Sequence, residues 1–223
     1  MMIRKIKAVI FDMDGVITNT MPYHYQVWRE IFHAEGIPVS KYEVYSREGQ
    51  KGLNSVLEIF AKYGKKISLK EAKELLAKKE NAFKKAAKTR FIPGSRSFIK
   101  KIHHQGFRLA LVTGTSSHEI NEILPAKLRD LFDVIVSGSD VTHGKPHPEP
   151  YQRALKALRI TPQEAIVIEN APFGITSATK AGIFCIAMKT SLPASYLKKA
   201  NTIVSDYHQL ERYAHGSIGL KKS

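Results

Sequence analysis

Ile6-Lys7-Ala8-Val9-Ile10-Phe11-Asp12-Met13-Asp14-Gly15-Val16 is a short apolar run that ends in two carboxylates and a glycine. The run is rich in β-forming residues, the pattern of a strand buried on both faces of a parallel sheet. Open α/β sheets take their ligands beyond the carboxyl ends of the strands. Asp12 and Asp14 are two apart, so in extended chain they point the same way. Two carboxylates aimed into one space repel, and a cation is the usual compensation. The alternative is that the pair only caps a turn before Gly15. The rest of the chain decides between them.

Past Gly15 the pattern changes. Residues 20 to 88 offer no convincing buried strand. Met21 to Ala34 reads as a helix with Tyr25, Trp28 and Phe32 on one stripe and Gly36 as its stop. Gly52 to Tyr63 repeats the pattern with Leu53, Val56, Leu57 and Phe60. Ser68 and Glu71, three apart, predict a capped third helix. This helical block ends at Arg90-Phe91-Ile92-Pro93-Gly94, which reads as a return hinge. From there helices over Arg96–Gln105, Glu119–Leu128 (with a break at Pro125), Pro148–Leu158 and Phe173–Ala181 alternate with strands. The strands fall at Phe107–Val112, Phe132–Val136, Ala165–Ile168, Ile183–Ala187 and Thr202–Val204, and a basic tail follows. That alternation predicts an α/β fold, a doubly wound parallel sheet. The expected division is a core of residues 1–18 and 92–223 with an inserted helical cap of residues 19–91.

The bulk properties narrow the function. With 223 residues and 43% hydrophobic content, the chain can bury a real core. Its apolar runs are too short to span a bilayer, and Asp12 and Asp14 interrupt any leader-like segment. A cytoplasmic protein, monomeric or weakly dimeric, is expected. The single cysteine, Cys185, lies within an apolar run and is expected to be a buried thiol. A net charge of +15 raises the question of nucleic acid. The lysines of Lys70 to Lys88, however, interleave with Glu71, Glu74 and Glu80, as on a solvated helix face. No nucleic-acid-binding signature accompanies them, so nucleic acid is not the expected partner. A basic field also draws small anions such as phosphate esters.

Three further strand ends carry polar groups. The strand ending at Val112 leads into Thr113-Gly114-Thr115-Ser116, whose hydroxyls and amides suit a phosphate cradle or, equally, a helix cap. After Val136 comes His143-Gly144-Lys145-Pro146-His147-Pro148. There Lys145 sits on a stiff backbone able to neutralise phosphoryl charge. His143 and His147 are four apart, but Pro146 and Pro148 deny them a helical metal-binding face, and both read as loop residues. Ile168 is followed by Glu169-Asn170, hard oxygen donors that would face Asp12 and suit Mg²⁺.

Asp12-Met13-Asp14-Gly15, Thr113-Gly114-Thr115, Gly144-Lys145-Pro146 and Glu169-Asn170 resemble, in order, the four motifs of the haloacid dehalogenase superfamily. The resemblance covers essentially the whole chain and is nearest to the β-phosphoglucomutase and sugar-phosphatase branch. It implies that Asp12 is the nucleophile, Asp14 the general acid/base and Lys145 the phosphoryl-charge partner. Asp12, Asp14 (through its backbone), Glu169 and Asn170 would hold Mg²⁺. It directs attention to Thr20 and His24 near the hinge and to the cap loop Arg47-Glu48-Gly49-Gln50-Lys51-Gly52, where Arg47 and Lys51 are candidate substrate contacts. Trp28 reads as core. Two departures matter. The branch has Glu-Asp where this chain has Glu169-Asn170, which predicts weaker Mg²⁺ binding. This chain also lacks the Lys-Gly-x-Ser-Arg cap loop of the mutases. The expected function is a Mg²⁺-dependent phosphatase acting on a small phosphorylated metabolite, with a phosphosugar mutase as the alternative and a catalytically weakened binding protein after it.

Overall fold

The computed structural model describes residues 5–86 and 90–217. Six strands, β1 (Ala8–Phe11), β2 (Arg108–Val112), β3 (Val134–Val136), β4 (Ala165–Glu169), β5 (Phe184–Met188) and β6 (Thr202–Val204), form one sheet in the order β3-β2-β1-β4-β5-β6. Every pairing is parallel. The chain winds outward one way through β2 and β3, then returns to the centre and winds the other way through β4, β5 and β6. The switch lies between β1 and β4, where the Asp12 amide still bonds the Ile168 carbonyl at 3.0 Å. A crevice opens at such a point because the flanking connections leave in opposite directions.

Alternation along the strands divides the core in two. Ala8 and Ile10 of β1 face a cluster with Val112, Val167 and Cys185, covered by α8 (Glu149–Leu158) and α9 (Pro172–Lys180). Val9 and Phe11 face the other side. There α5 (Ser95–His104), α6 (Ser117–Ile123), α7 (Ala126–Arg129) and α10 (Tyr207–Ser217) supply Phe98, Ile102, Ile120, Leu128 and Leu210. The sheet is therefore buried on both faces, as the apolar strands require. Cys185 is a buried free thiol, as expected.

The block between β1 and α5 is helical: α1 (Met21–Ala34), α2 (Lys41–Tyr45), α3 (Gly52–Lys62) and α4 (Leu69–Ala86). Helix α1 packs on α2 and α4, and α3 packs on α4. Trp28 and Phe32 stack at 5.0 Å in its interior. The expected Ser68–Glu71 capping box forms, with Glu71 N–H donating to Ser68 Oγ at 3.2 Å and Ser68 N–H to Glu71 Oε2 at 2.8 Å. The two chain segments joining this block to the sheet pair with each other. Asn19 N–H donates to Arg90 O at 2.7 Å and Ile92 N–H to Ile17 O at 2.9 Å.

Several boundaries differ from expectation. Helix α2 is short and opens on a capping box of its own, Ser40 with Glu43. The break expected at Pro125 is present, with α6 ending at Ile123 and α7 starting at Ala126, and α6 begins two residues earlier than expected. The expected tail is instead α10 through residue 217, seated on the sheet by Tyr207, Leu210 and Ala214. The basic end beyond it lies outside the described residues. Among the described residues no helix is long and apolar enough to cross a membrane.

Glu43 ties α2 to α3. It accepts from Ser40 N–H, Lys62 and Tyr63 Oη. Burial alone would raise its carboxyl, but the bonds from Lys62, Ser40 and Tyr63 outweigh that and hold its pKa to about 2. A lowered acid stabilises the fold above its ordinary pKa and loses that contribution as the pH falls toward the folded value. Glu43→Gln should therefore cost about 1–2 kcal/mol at neutral pH. In thermal unfolding followed by circular dichroism, the gap to the parent should narrow as pH drops from about 5 to about 3. A gap independent of pH would remove the ionised carboxylate from the account.

Candidate active site

The carboxyl ends of β2, β1 and β4 converge on one ammonium group. Lys145 enters from the β3–α8 loop and is 1% exposed. Its Nζ donates to Asp12 Oδ1 at 2.6 Å, to Glu169 Oε1 at 2.7 Å and to the Val112 carbonyl at 3.1 Å. All three ammonium protons have acceptors, one from each of three neighbouring strands. Burial works against its charge, but Asp12 and Glu169 outweigh it and hold Lys145 protonated.

Glu169 is fully occupied. Oε1 accepts from Lys145 and from Tyr151 Oη at 2.9 Å, while Oε2 accepts the Asn170 and Ala171 amides at 2.8 and 3.1 Å. Expected as a metal donor, it also fixes Lys145. Tyr151, which sequence reading had counted only as part of a helix, orients it. Burial pushes the Tyr151 hydroxyl well above its ordinary range, with Glu169 and Asp12 adding to the effect, so it stays a donor.

Asp12 is buried and keeps one oxygen without a partner, Oδ2. Asn170 also has an unpartnered buried oxygen, Oδ1, while its Nδ2 donates to Ser191 Oγ at 2.7 Å. Burial raises the Asp12 carboxyl, and Glu169 and Asp14 add to this against the pull of Lys145. Asp12, Asp14 and Glu169 are three buried carboxylates served by one ammonium. Two orphaned oxygens beside an excess of negative charge fit a hard divalent cation. The donors would be Asp12 Oδ2 and Asn170 Oδ1.

Asp14 has partners on both oxygens. Its Oδ1 accepts from Thr20 Oγ1 and lies 3.4 Å from His24 Nε2. Its Oδ2 accepts from Thr115 Oγ1 at 2.9 Å and Thr113 Oγ1 at 3.4 Å. Burial would raise its pKa, but His24, Thr20 and Thr115 together bring it down to about 2. Thr20, His24, Thr113 and Thr115 thus converge here on a carboxylate. The Thr113 amide is not available to a ligand, because it continues the sheet ladder to the Val136 carbonyl at 3.0 Å.

The loop of residues 47–51 closes over these groups. At Gly49, with φ +81°, an added Cβ would lie 2.3 Å from Lys145 Cδ. One added at Gly114 would lie 2.7 Å from Gly49 Cα. The loop is tied down by Phe173 N–H donating to Ser46 O at 3.2 Å. Behind it lies a cavity of about 280 Å³ lined by His24, Arg47, Glu48, Lys51, Lys79 and Thr115 among others. Asp12 and Lys145 do not line it. Arg47 donates to the Glu43 carbonyl at 3.1 Å and lies over the Phe173 ring at 5.8 Å, while Lys51 borders the cavity.

Glu48 escaped the sequence reading. It is partly buried and shares a cluster with Asp14 and His24, in which ligand-capable atoms lie within 4.8 Å of one another. Burial raises its carboxyl, and Asp14 adds to this against His24 and Lys79. A glutamate in a loop reads as solvated, and only tertiary closure puts it here.

The match to the family model of haloacid dehalogenase-like hydrolases runs over residues 9–188 and takes in all four strand ends. The chain belongs to that family. This hydrolase is 34% identical to a phosphorylated carbohydrates phosphatase of Thermotoga maritima over 80% of its own length and 82% of the relative's. It is 29% identical to the beta-phosphoglucomutase of Bacillus subtilis, covering 84% and 85%. Among solved structures, the beta-phosphoglucomutase of Clostridium difficile superposes with a TM-score of 0.82 at 29% identity, covering 96% and 97%.

The hydrolase's glycines allow a test of the Glu169 clamp. Gly174 lies within α9, where propensity alone favours alanine by up to about 1 kcal/mol. An added Cβ would, however, lie 1.7 Å from Glu169 Oε1, a side chain pinned by four donors. Gly174→Ala should destabilise by about 2–4 kcal/mol. Gly216→Ala in α10, which meets nothing within 4 Å, should be neutral to stabilising. Paired urea denaturation curves read both signs. A stable Gly174→Ala protein would show that Glu169 is not fixed.

Proposed function

We propose that this chain is a Mg²⁺-dependent phosphatase of small phosphate esters, a sugar phosphate among them, working through an aspartyl-phosphate on Asp12. The observation that carries the reading is Asp12 itself: a buried carboxylate with Oδ1 on Lys145 and Oδ2 unpartnered, as Asn170 Oδ1 at the end of the neighbouring strand also is. The relatives named for phosphorylated carbohydrates and for β-phosphoglucomutase support the substrate class.

In this reading an Asp12 oxygen attacks phosphorus, and the P–O bond to the leaving alcohol breaks. Asp14 gives that oxygen its proton. Because Asp14 rests ionised, it must first take up a proton, and a phosphate monoester monoanion brings one. Water then attacks the aspartyl-phosphate and passes a proton to Asp14. The bond between Asp12 and phosphorus breaks, inorganic phosphate leaves as a monoanion carrying the proton that Asp14 took from water, and both carboxylates are restored. Thr20, His24, Thr113 and Thr115 hold Asp14 in line for both transfers. Lys145 offsets negative charge at the phosphoryl group, and Glu169 and Tyr151 hold Lys145. Mg²⁺, held by Asp12 and Asn170 with the Asp14 backbone, would supply further charge neutralisation when bound. Residues 19–91 act as the cap and residues 1–18 and 92–223 as the core. The paired hinge segments open the loop of residues 47–51 so that substrate can reach Asp12. Arg47, Glu48 and Lys51 then meet the leaving group.

Phosphate release from a panel of sugar phosphates and small phosphomonoesters, with and without Mg²⁺, tests the reading. Release should require Mg²⁺ and fall about 10³-fold or more in Asp12→Asn. Asn170→Asp should tighten Mg²⁺ in activity titrations by about tenfold, since a carboxylate replaces a neutral donor. Glucose 6-phosphate formed from β-glucose 1-phosphate without net release would make the chain a mutase. Undiminished turnover in Asp12→Asn would overturn the mechanism.

A further inference from the structure

A second cluster of metal-ligating side chains lies on the outer side of the β3–α8 loop. Pro146 and Pro148 bar His143 and His147 from a common helical face, and the spacing alone therefore speaks against a metal site. The irregular loop brings them together by another route. Their ring centroids are 4.7 Å apart, with planes inclined by 35°. Glu149, the first residue of α8, joins them. His143 Nδ1 is 3.1 Å from Glu149 Oε2, and the Glu149 amide donates to His147 Nδ1 at 3.2 Å. One ligand-capable atom from each of the three lies within 4.8 Å of the others.

We propose that His143, His147 and Glu149 form a surface site for a zinc-class divalent transition metal, distinct from the carboxylate centre at Asp12. Two imidazoles and one carboxylate are a borderline-soft set that Mg²⁺ does not favour and zinc does. With metal–ligand bonds of about 2.0–2.1 Å, neighbouring donors of a tetrahedral ion stand about 3.3 Å apart. The His143–Glu149 pair already has that spacing. Both histidines are exposed, so His147 can close the remaining distance by turning its ring, and water can complete the shell.

The carboxylate is prepared for this role by its other bonds. Glu149 Oε1 accepts from the Thr142 amide and from Arg153 Nε, each at 2.9 Å, and Oε2 accepts from the His143 amide at 2.8 Å. Arg153, the nearest competing cation, thus occupies Oε1 and leaves the histidine side of Oε2 to a metal. Outer bonds of this kind hold a ligand's orientation. An ion here would replace the His143–Glu149 hydrogen bond and, once the His147 ring turns, the Glu149 amide's bond to His147 Nδ1. Its ligands stand on both sides of Lys145, so it would clamp the turn from which that side chain reaches the core. The Ser177 Oγ bond to the His147 carbonyl, 2.6 Å, already anchors the same turn.

Cobalt(II) is the probe, because tetrahedral Co²⁺ absorbs in the visible. Metal-free full-length protein without a polyhistidine tag is titrated with Co²⁺ in excess Mg²⁺, then with Zn²⁺. One equivalent of Co²⁺ should bind with visible bands, and Zn²⁺ should bleach them. His143→Ala/His147→Ala, at exposed positions, should lose that equivalent, and His143→Ala alone should weaken it. Asp12→Asn should keep it. The proposal is overturned if the parent takes up no stoichiometric Co²⁺, if the double variant binds like the parent, or if Asp12→Asn removes the bands.

Discussion

The ammonium of Lys145 is the constraint on which the rest of the structure depends. It is buried with two carboxylates, Asp12 and Glu169, and a strand-end carbonyl, that of Val112. Those three acceptors close β1, β4 and β2, the three central strands of the sheet. Removing one member of a buried ion pair costs about 3–5 kcal/mol, because the other is left uncompensated. The same contact that joins the strand ends also directs Asp12 and opposes the burial that raises its carboxyl. Fold and chemistry share one group, and the parallel topology is what brings its partners within reach.

The strand ends were legible because their signals are local. Asp12-Met13-Asp14, Thr113-Gly114-Thr115, Gly144-Lys145-Pro146 and Glu169-Asn170 each follow an apolar run, and a doubly wound sheet gathers such ends by construction. What each side chain does there was less legible. Glu169 reads as a cation donor, yet the Asn170 and Ala171 amides, Tyr151 and Lys145 use both its oxygens. Those partners lie up to 24 residues away, and no spacing announces them. Glu48 reads as a surface charge until the cap loop folds over. His143 and His147 read as loop residues because Pro146 and Pro148 exclude a shared helical face, an argument about helices that says nothing of how an irregular loop places their rings. Helix α10 was within reach, since Tyr207, Leu210 and Ala214 form a stripe, but basic and polar residues around them masked it.

Asn170 illustrates how a substitution can be more than a lost charge. Its amide nitrogen donates to Ser191 Oγ, and Gly15 with φ +87° lies so close that an added Cβ would be 2.0 Å from that nitrogen. Thr190 Oγ1 in turn donates to the Gly15 carbonyl at 2.5 Å. The segment after β5 is thereby fastened to the turn after Asp14 by the Thr190 hydroxyl and to Asn170 by the latter's amide donor. A carboxylate at position 170 would have to accept from Ser191 instead, so the proton on that hydroxyl would reverse its direction.

The contact between the loop of residues 47–51 and the core is made of glycine backbone. A Cβ at Gly114 would strike Gly49, one at Gly138 would strike the Gly114 carbonyl at 2.2 Å, and one at Gly144 would press on the Lys51 amide at 3.0 Å. Sequence drift at these positions would hold the loop off the core, so they have almost no room to vary. Arg47, Lys51 and Lys79 border the cavity instead, while Glu48 also reaches the cluster with Asp14 and His24. The molecule thus separates a seam that evolution must leave alone from a rim it can rewrite one side chain at a time. Changes of side chain on that rim would leave the glycine contacts of the closure in place.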